Sequence, residues 1–150
     1  MELKYIPVTN ENRQAVLNLC LLDEQQGYIE TVAECLEEAA QNDAWRTFGI
    51  YDGADLVGFT MYGCFTENKW GTRVWLDRLL IDKSCQGKGY GYRTVEDMCE
   101  RLFAEYDTDE IYLSVYDNNK AAIHVYEKAG FRFNGEYDTK GERIMKMIRK

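Results

Sequence analysis

The chain has 150 residues, of which 45% are hydrophobic and 13% aromatic, values that fit one folded domain and exclude a disordered chain. The net charge is −8, from 18 basic and 26 acidic residues, which disfavours nucleic acid and anionic lipid as partners and favours a cationic ligand. No apolar stretch is long enough to cross a bilayer, and the N-terminal residues lack the apolar core of a signal peptide. We therefore expect one cytoplasmic domain, residues 1–150, with no membrane or nucleic-acid partner.

The cysteines and the single histidine indicate neither a metal site nor a disulfide framework. The five cysteines are scattered, odd in number and never spaced as C-x-x-C. They are Cys20, Cys35, Cys64, Cys85 and Cys99. Free thiols in a chain without a signal peptide are typical of a reducing compartment. We predict no metal cofactor, and we expect His124 to lie at the surface.

The first third of the chain predicts a strand followed by two helices. Residues 3–8 alternate as in a short strand. Thr9 or Asn10 can cap a helix that runs through residues 15–22. A second helix over residues 31–41 opens with Thr and Glu at capping-box spacing.

The middle of the chain predicts three strands, a glycine-rich loop and a long helix. Residues 45–51 and 56–63 read as two strands of a hairpin. Residues 73–81 form a third strand, and its nearly continuous apolar end predicts burial on both faces. The loop then leads into a helix over residues 90–106, whose apolar positions recur every three or four residues.

The last third predicts a strand, a helix and a closing hairpin. The strand covers residues 111–116, and the helix covers residues 119–129 with Gly130 directly after its C-cap. Residues 131–137 and 142–148 form the hairpin. Strands and helices thus alternate, with antiparallel hairpins near both ends, which is typical of a mixed-sheet α/β (α+β) domain.

The glycine-rich segment Gln86–Gly91 (QGKGYG) lies between a predicted strand and a predicted helix. Glycines there let successive backbone N–H groups point inward, and with the free N–H groups of the helix start they make an anion site. The segment is not a P-loop, since no Lys-Ser/Thr follows, and it is not the G-x-G-x-x-G of dinucleotide folds. Taken alone, it is as compatible with an ordinary glycine-rich turn.

Two motifs together resemble those of the GCN5-related N-acetyltransferase family. Q-x-x-G-x-G at Gln86, Gly89 and Gly91 is similar to the loop of that family that binds the pyrophosphate of acetyl-CoA. The pattern N-x-x-A-I-x-V-Y-x-K-x-G-F over Asn119–Phe131 is similar to the second signature of the family. The order, the spacing and the flanking strands also fit, so the resemblance covers nearly the whole chain. It implies a mostly antiparallel, twisted mixed sheet, flanked by helices, in which two central parallel strands splay apart around pantetheine.

The resemblance also implies which residues bind the acetyl-CoA co-substrate. Residues 73–81 and 111–116 would be the splayed strands, and the backbone of the first would pair with the pantetheine amides. Asn119 would contact the cofactor arm, and Lys128 would reach a phosphate unless it is a solvated helix lysine. The implied residues are Leu79, Leu80, Ile81, Gln86, Gly87, Lys88, Gly89, Tyr90, Gly91, Asn119, Tyr126 and Lys128.

Acetyl transfer to an amine needs a group that deprotonates the amine and a group that protonates the departing thiolate. Tyr126 matches the general-acid position of the family, and simple aromatic packing at a helix end is the alternative. Asp77 is the candidate base, because a carboxylate among apolar neighbours in a central strand is costly unless it is paired or functional. A structural ion pair is the alternative for Asp77. Since side chains alternate along a strand, we expect the adjacent Arg78 to point to the other face.

An acidic helix face suggests a substrate with several ammonium groups, and a solvated helix is the alternative. The acidic residues that share this face are Glu30, Glu34, Glu37 and Glu38. Aromatic residues that could add cation–π walls are Trp45, Trp75, Tyr62 and Tyr28. We predict that the substrate-binding residues are Glu30, Glu34, Trp45, Trp75 and Asp77.

Three longer segments resemble bacterial spermine/spermidine (diamine) acetyltransferases: GYIETVAECLEEA, WRTFGIYDG and WLDRLLIDKSCQGKGYG. This resemblance implies transfer of an acetyl group from acetyl-CoA to a primary amine of a polyamine. Two alternatives stay open. One is an acetyltransferase for another amine, such as an aminoglycoside, a peptide or a protein N-terminus, and the other is a non-catalytic acetyl-CoA-binding sensor. The joint presence of Asp77 and Tyr126 favours an enzyme, and a homodimer is compatible with the sequence.

Overall fold

The computed structural model describes residues 1–20 and 31–149, which form a seven-stranded mixed sheet with helices on both faces. The strands are β1 (Leu3–Pro7), β2 (Trp45–Asp52), β3 (Asp55–Glu67), β4 (Gly71–Ile81), β5 (Glu110–Val115), β6 (Arg132–Tyr137) and β7 (Arg143–Ile148). The helices are α1 (Arg13–Leu17), α2 (Val32–Gln41), α3 (Tyr90–Tyr106) and α4 (Lys120–Ala129). The predicted α/β fold is confirmed. None of these described helices is long and apolar enough to cross a bilayer.

The sheet is antiparallel except at its centre. The strand order is β1-β2-β3-β4-β5-β7-β6, and only β4 and β5 run parallel. Within this fully described pair of strands, pairing is confined to Val74 with Ile111 and Trp75 with Tyr112. Because β4 continues for six residues beyond Trp75, to Ile81, the two strands separate there. The splayed central strands are as predicted.

The unpaired edge of β4 exposes backbone groups of alternate residues to this gap. The Arg78 carbonyl accepts a hydrogen bond from Thr60 at 2.9 Å, and the Asp82 N–H donates to the Val57 carbonyl at 2.8 Å. The backbone groups of Arg78, in β4, and of Asp82, directly after β4, therefore point to β3. Since direction alternates along a strand, the N–H and C=O groups of Leu79 and Ile81 point into the gap.

A β-bulge interrupts β4 at Asp77. Met61 of β3 pairs with Arg78, and its neighbour Tyr62 pairs with Leu76, so Asp77 is an extra residue in β4. An extra residue breaks the alternation, because two residues of one strand then oppose one residue of the other. Leu76 packs on the face covered by α3 and α4, whereas Leu80 packs on the opposite face, although both positions are even-numbered.

Both faces of the sheet are covered, by different helices. On one face, α3 and α4 pack on Val74 and Leu76 in the main core cluster. On the other face, α1 and α2 pack on Phe59 and Leu80 of the sheet. Trp75 lies on this second face, next to Tyr112 and Ile144. We call the second face the cavity face, because a cavity opens on it beside α2.

Most predicted boundaries agree with the structure to within one or two residues, and α1 is the main exception. The predicted helix through residues 15–22 is instead a five-residue helix, Arg13–Leu17. Asn12, rather than Thr9 or Asn10, occupies its N-cap, and its side chain accepts a hydrogen bond from the Thr9 N–H at 2.8 Å. The helix ends because the Asn18 N–H bonds to both the Gln14 and Ala15 carbonyls, which tightens the last turn. Residues 21 and 22 lie outside the described residues.

Candidate active site

A cavity of about 610 Å³ lies on the cavity face, between α2, the sheet and the β6–β7 turn. Its aromatic wall consists of Trp45, Phe65, Trp70, Trp75 and Tyr137. Its carboxylates are Glu38, Glu67, Asp77, Asp138 and Glu142, and its cationic side chains are Lys69, Arg78 and Lys140. Five carboxylates against three cations, beside aromatic rings, make a site suited to an organic cation.

Asp77 and Arg78 lie on the same wall of this cavity. The prediction that Arg78 points to the other face is wrong, because the bulge at Asp77 places both side chains on one side of the sheet. The Arg78 guanidinium is ion-paired and hydrogen-bonded to the Asp77 carboxylate. It also lies 3.7 Å from a carboxylate oxygen of Glu38 on α2. Asp77 thus belongs to an ion pair and also lines the cavity. A structural ion pair and a role in the reaction are therefore compatible for this residue.

A further carboxylate, Glu142, lines the cavity at the start of β7. It is half-buried, and burial is the main reason that its pKa is raised to about 7. The negative charges of Asp138 and Asp77 raise this pKa further, whereas the positive charges of Arg78 and Lys140 lower it. Glu142 is therefore a carboxyl group that exchanges a proton near neutral pH.

The aromatic wall is held in place by its own contacts. The rings of Trp45 and Phe65 are 4.4 Å apart between centroids. Trp75 packs between Trp70 and Tyr112, at 5.7 and 5.5 Å. The Arg73 guanidinium lies 4.1 Å from the Tyr112 centroid and pairs with Glu136 at 3.1 Å. Trp45 and Trp75, both predicted as substrate-binding, are thus brought together in one pre-formed wall.

Tyr126 lies on the other face of the sheet, on α4, with its ring 6.1 Å from that of Phe131. Burial raises the pKa of its phenol to about 12, and the charge of Glu142 contributes in the same direction. Tyr126 is therefore protonated at neutral pH and lies within electrostatic range of the cavity. A molecule that contacts both Asp77 and Tyr126 has to pass through the gap between β4 and β5.

The gap presents the backbone of two of the three predicted β4 residues. Leu79 and Ile81 direct their backbone groups into it, and Gln86 donates from Nε2 to the Ile81 carbonyl at 2.7 Å. Gln86 therefore braces the turn that links β4 to the glycine loop. Leu80 differs, because its backbone points to β3 and its side chain is buried under α1 and α2.

The glycine loop is open to solvent and has an unusual backbone. Gly87 and Gly89 have φ of +77° and +83°, a region that L-residues rarely adopt. No atom lies within 4 Å of a Cβ built on either glycine, so conformation rather than space requires glycine there. Gly89 is the N-cap of α3 and makes no side-chain cap, so the first N–H groups of this helix face the loop. Gly91 lies in the first turn of α3, and Lys88 is exposed.

Three other predicted cofactor residues have structural roles for their side chains. The Tyr90 hydroxyl donates to Asp52 at 2.6 Å, which ties the start of α3 to the end of β2. The Asn119 side chain accepts from the Ala122 N–H at 3.4 Å as the N-cap of α4. Lys128 is exposed, and its ammonium lies 4.4 Å from the ring centroid of Tyr92.

The predicted acidic helix face is only partly directed at the cavity. Glu34 is exposed and completes the capping box of α2 with Thr31, whereas Glu38 lines the cavity. Glu30, predicted as substrate-binding, and Tyr28 lie outside the described residues. Tyr62 is not a cavity wall, since its hydroxyl donates to Glu105 of α3 at 2.7 Å on the opposite face. His124 is exposed, as predicted.

Sequence reasoning missed Glu142 and Asp138. Both belong to a polar turn between two strands, and acidic residues are common in such turns for local reasons. The only sequence signal is the four-residue spacing between two acids at the two ends of the turn. That spacing does not indicate on which face of the sheet the turn closes.

Comparison with known proteins gives acetyltransferases among the relatives of this chain. The acetyltransferase (GNAT) family model matches residues 13–131. A spermine/spermidine N(1)-acetyltransferase of Bacillus subtilis is 44% identical over 149 residues, which is 97% of this chain and 97% of that protein. An aminoglycoside N(6')-acetyltransferase type 1 of Klebsiella pneumoniae is 38% identical over 64 residues, which is 43% of this chain and 32% of that protein.

The fold has a counterpart among solved structures. A spermidine N-acetyltransferase from Vibrio cholerae, in complex with CoA and spermine, matches 98% of this chain and 95% of that chain with a TM-score of 0.74. Its sequence identity is 20%, so this likeness concerns the fold. The family match covers most of the chain, and the splayed strands and glycine loop fit a CoA thioester. The chain therefore belongs to the GNAT family and is an N-acetyltransferase that uses acetyl-CoA as its co-substrate.

Proposed function

We propose that this enzyme acetylates a primary amine of a polyamine such as spermidine, spermine or a related diamine. The observation that carries the proposal is the cavity, in which five carboxylates and an aromatic wall adjoin the gap between β4 and β5. The 44% identity to a spermine/spermidine acetyltransferase over nearly the full length supports the same substrate class. All five cysteines are free thiols, so we place the reaction in the cytoplasm.

The polyamine fits the cavity by charge and by shape. An alkyl amine is a cation at neutral pH, with a pKa of about 10.4 as for lysine. A second ammonium of the same molecule can lie against the carboxylates at the cavity mouth, and its methylene chain can lie along Trp45 and Trp75. A monoamine offers one such contact, so it should bind more weakly.

Asp77 and Tyr126 take the two proton-transfer roles in this proposal. Asp77 binds the attacking ammonium and draws off its proton, either directly or through a water molecule. The amine then attacks the thioester carbonyl from the cavity face. Tyr126, kept protonated by its raised pKa, donates to the sulfur as the thiolate leaves.

The acetyl donor is held mainly by backbone groups. Leu79 and Ile81 offer theirs along the edge of β4, as an adjacent strand would use them. The loop Gly87–Gly91 and the start of α3 hold the pyrophosphate through N–H groups. Lys88 adds a positive charge at the surface, and Asn119 stays available through its amide nitrogen.

A substrate panel tests the proposed function. Thiol release from acetyl-CoA is measured with spermidine, spermine, diamines, aminoglycosides and peptides at equal concentration. We expect kcat/KM to be largest for the polyamines and to fall for monoamines of equal length. The aminoglycosides are the sharpest comparison, since they are also polycations and an aminoglycoside acetyltransferase matches part of the chain. A preference for aminoglycosides or peptides, or no turnover with any amine, contradicts the proposal.

Gly89→Val is expected to abolish the thermal protection that CoA gives to the wild-type protein. A ligand that binds only the folded state at 100 times its Kd adds about 2.7 kcal/mol of stability. Valine cannot adopt the φ of +83° without strain, so the N–H groups of the loop turn away from the phosphates. The measurement is the change in Tm on addition of CoA.

Gly53→Val is the matched control for this prediction. Gly53 also has a positive φ, of +62°, and also has open space around a built Cβ, but it lies in the β2–β3 turn. Both variants should lose intrinsic stability for the same reason. Only Gly53→Val should keep the CoA-dependent rise in Tm, and an equal rise in both variants would remove the phosphate role from the loop.

A further inference from the structure

The turn between β6 and β7 fixes the position of Glu142 on the cavity wall. The Asp138 carboxylate accepts hydrogen bonds from the N–H groups of Lys140 and Glu142, both at 2.9 Å. The Asp138 N–H in turn donates to the Glu142 carbonyl at 2.9 Å. The next residue, Arg143, already pairs with Val115 of β5. The backbone on both sides of Glu142 is thus held, and the side chain starts from a defined point beside Asp77.

The charged groups around Glu142 come from four elements. Asp138 and Lys140 belong to its own turn, and Asp77 and Arg78 belong to β4. Tyr126 faces it from α4, and Glu38 lines the same cavity from α2. Within residues 1–20 and 31–149, no side chain donates a hydrogen bond to the Glu142 carboxylate. It is a half-buried acid whose charge is not directly neutralised there, which agrees with a pKa raised to about 7.

The two carboxylates of the wall are therefore unequal. Asp77 is directly ion-paired with Arg78, whereas Glu142 lacks a direct cationic contact among the described residues. Two acids in one site whose environments differ in this way can divide the tasks of binding a cation and holding a proton. A carboxyl group whose pKa is close to the working pH is an efficient proton acceptor.

We infer that Glu142 is the carboxylate on which the proton of the attacking ammonium comes to rest, while Asp77 contacts and orients that ammonium. The inference rests on the proposed function, which it deepens by assigning a second acid to the amine site. The ammonium first contacts Asp77. Its proton then passes to Glu142 through Asp77 or through a bridging water molecule. Both acids line the same cavity, and the hydrogen-bonded turn fixes the backbone at Glu142.

The acetyl transfer moves two protons from the ammonium nitrogen and one from Tyr126. An N–H bond of the ammonium breaks, its electron pair stays on nitrogen, and the proton forms an O–H bond on Glu142. The nitrogen pair then bonds to the acetyl carbon, the C–S bond breaks, and the sulfur takes the Tyr126 proton. The second nitrogen proton leaves as the adduct collapses and restores Tyr126 through solvent. Glu142 releases its own proton to solvent, so one proton is produced per turnover.

The pH dependence of Glu142→Gln tests the inference. In the wild type, log kcat/KM for spermidine should bend near pH 7, because this parameter reports groups of the free enzyme. Glu142→Gln should lose the bend and lower kcat by roughly 10²-fold, the smaller end of acid–base effects. Glu142→Asp should retain the bend and part of the rate. Asp77→Asn should lower the rate and keep a bend that moves to lower pH, because the negative charge of Asp77 raises the pKa of Glu142. Glu127→Gln, on the exposed side of α4, is the matched control and should behave as the wild type.

A stability measurement gives a readout that is independent of catalysis. The pKa of Glu142 is higher in the folded protein than its ordinary value of 4.5, so ionisation above pH 7 destabilises the fold. Below about pH 4.5 the group is protonated in both states and contributes nothing. Glu142→Gln should therefore raise Tm relative to the wild type at pH 8, with a much smaller rise at pH 5. Glu127→Gln should show no such difference.

Two results would overturn the inference. One is a Glu142→Gln variant that keeps both the bend near pH 7 and the wild-type kcat. The other is a Tm difference that is the same at pH 5 and pH 8. If the wild type prefers another amine, the proposed function fails, and the same variants are then measured with that amine. With either amine, the test of the inference is whether Glu142→Gln loses the bend near pH 7.

Discussion

Tyr126→Phe is expected to lower kcat by roughly 10²–10⁴-fold, the usual cost of removing an acid–base group. In the proposed reaction, the thiolate then leaves without a proton from Tyr126. Acetyl-CoA binding should hardly change, because the ring keeps its packing against Phe131 and the donor is held by backbone groups. The measurement is steady-state kinetics with spermidine, combined with the CoA-dependent rise in Tm.

Tyr5→Phe is the control for this variant. The Tyr5 hydroxyl donates to Asp97 of α3 at 2.6 Å, outside the cavity, and burial raises the pKa of this phenol as well. Removing it should lower Tm and leave kcat unchanged. If Tyr126→Phe turns over at the wild-type rate at neutral pH, the phenol has no part in the reaction, and its high pKa is only a result of its surroundings.

Asp77→Asn is expected to lower kcat by at least roughly 10²-fold, because in the proposed reaction asparagine neither passes on the proton of the amine nor holds its charge. The change also leaves the Arg78 guanidinium beside a neutral amide, which weakens the attraction of a second cation to this wall. The loss should persist at high salt, since proton transfer is a contact interaction. The measurement is kcat and KM for spermidine at two ionic strengths.

Glu38→Gln separates this role from simple attraction of cations. Glu38 also lies close to Arg78, and its side chain is 42% exposed against 20% for Asp77. The variant should mainly raise KM, which indicates lost uniform binding. That effect should shrink in high salt, because charges at the mouth are screened over roughly 8–10 Å at 0.1–0.15 M. An Asp77→Asn variant that also changed only KM would place Asp77 among the binding residues.

Much of the fold follows from local patterns that tertiary packing does not override. The apolar end of β4 predicted a central strand because burial on both faces leaves no position for polar residues, and Leu80 and Ile81 are indeed buried. Gly130 predicted the end of a helix, and it has a positive φ. The capping box of Thr31 and Glu34 is formed as predicted.

The parts of the site that sequence reasoning missed depend on register and on turns. Alternation assigns Arg78 to the wrong face, because no local signal marks the extra residue at Asp77. Glu142 belongs to a polar turn in sequence, and only the pairing of β7 with β5 brings it to the cavity. Glu38 could be placed on an acidic helix face, but the packing of α2 decides that Glu38 and not Glu34 faces inward.

The splayed centre of the sheet has a consequence for the order in which substrates bind. Asp77 and Tyr126 lie on opposite faces of the sheet. Because only a short stretch of β4 pairs with β5, the space between these two residues is open. In the proposed reaction, the acetyl donor lies in the gap as an additional strand and fills this space. An amine that arrives first meets an incomplete pocket, whereas an amine that arrives second meets the thioester already presented beneath it. In the proposed reaction, this geometry favours binding of the donor before the amine.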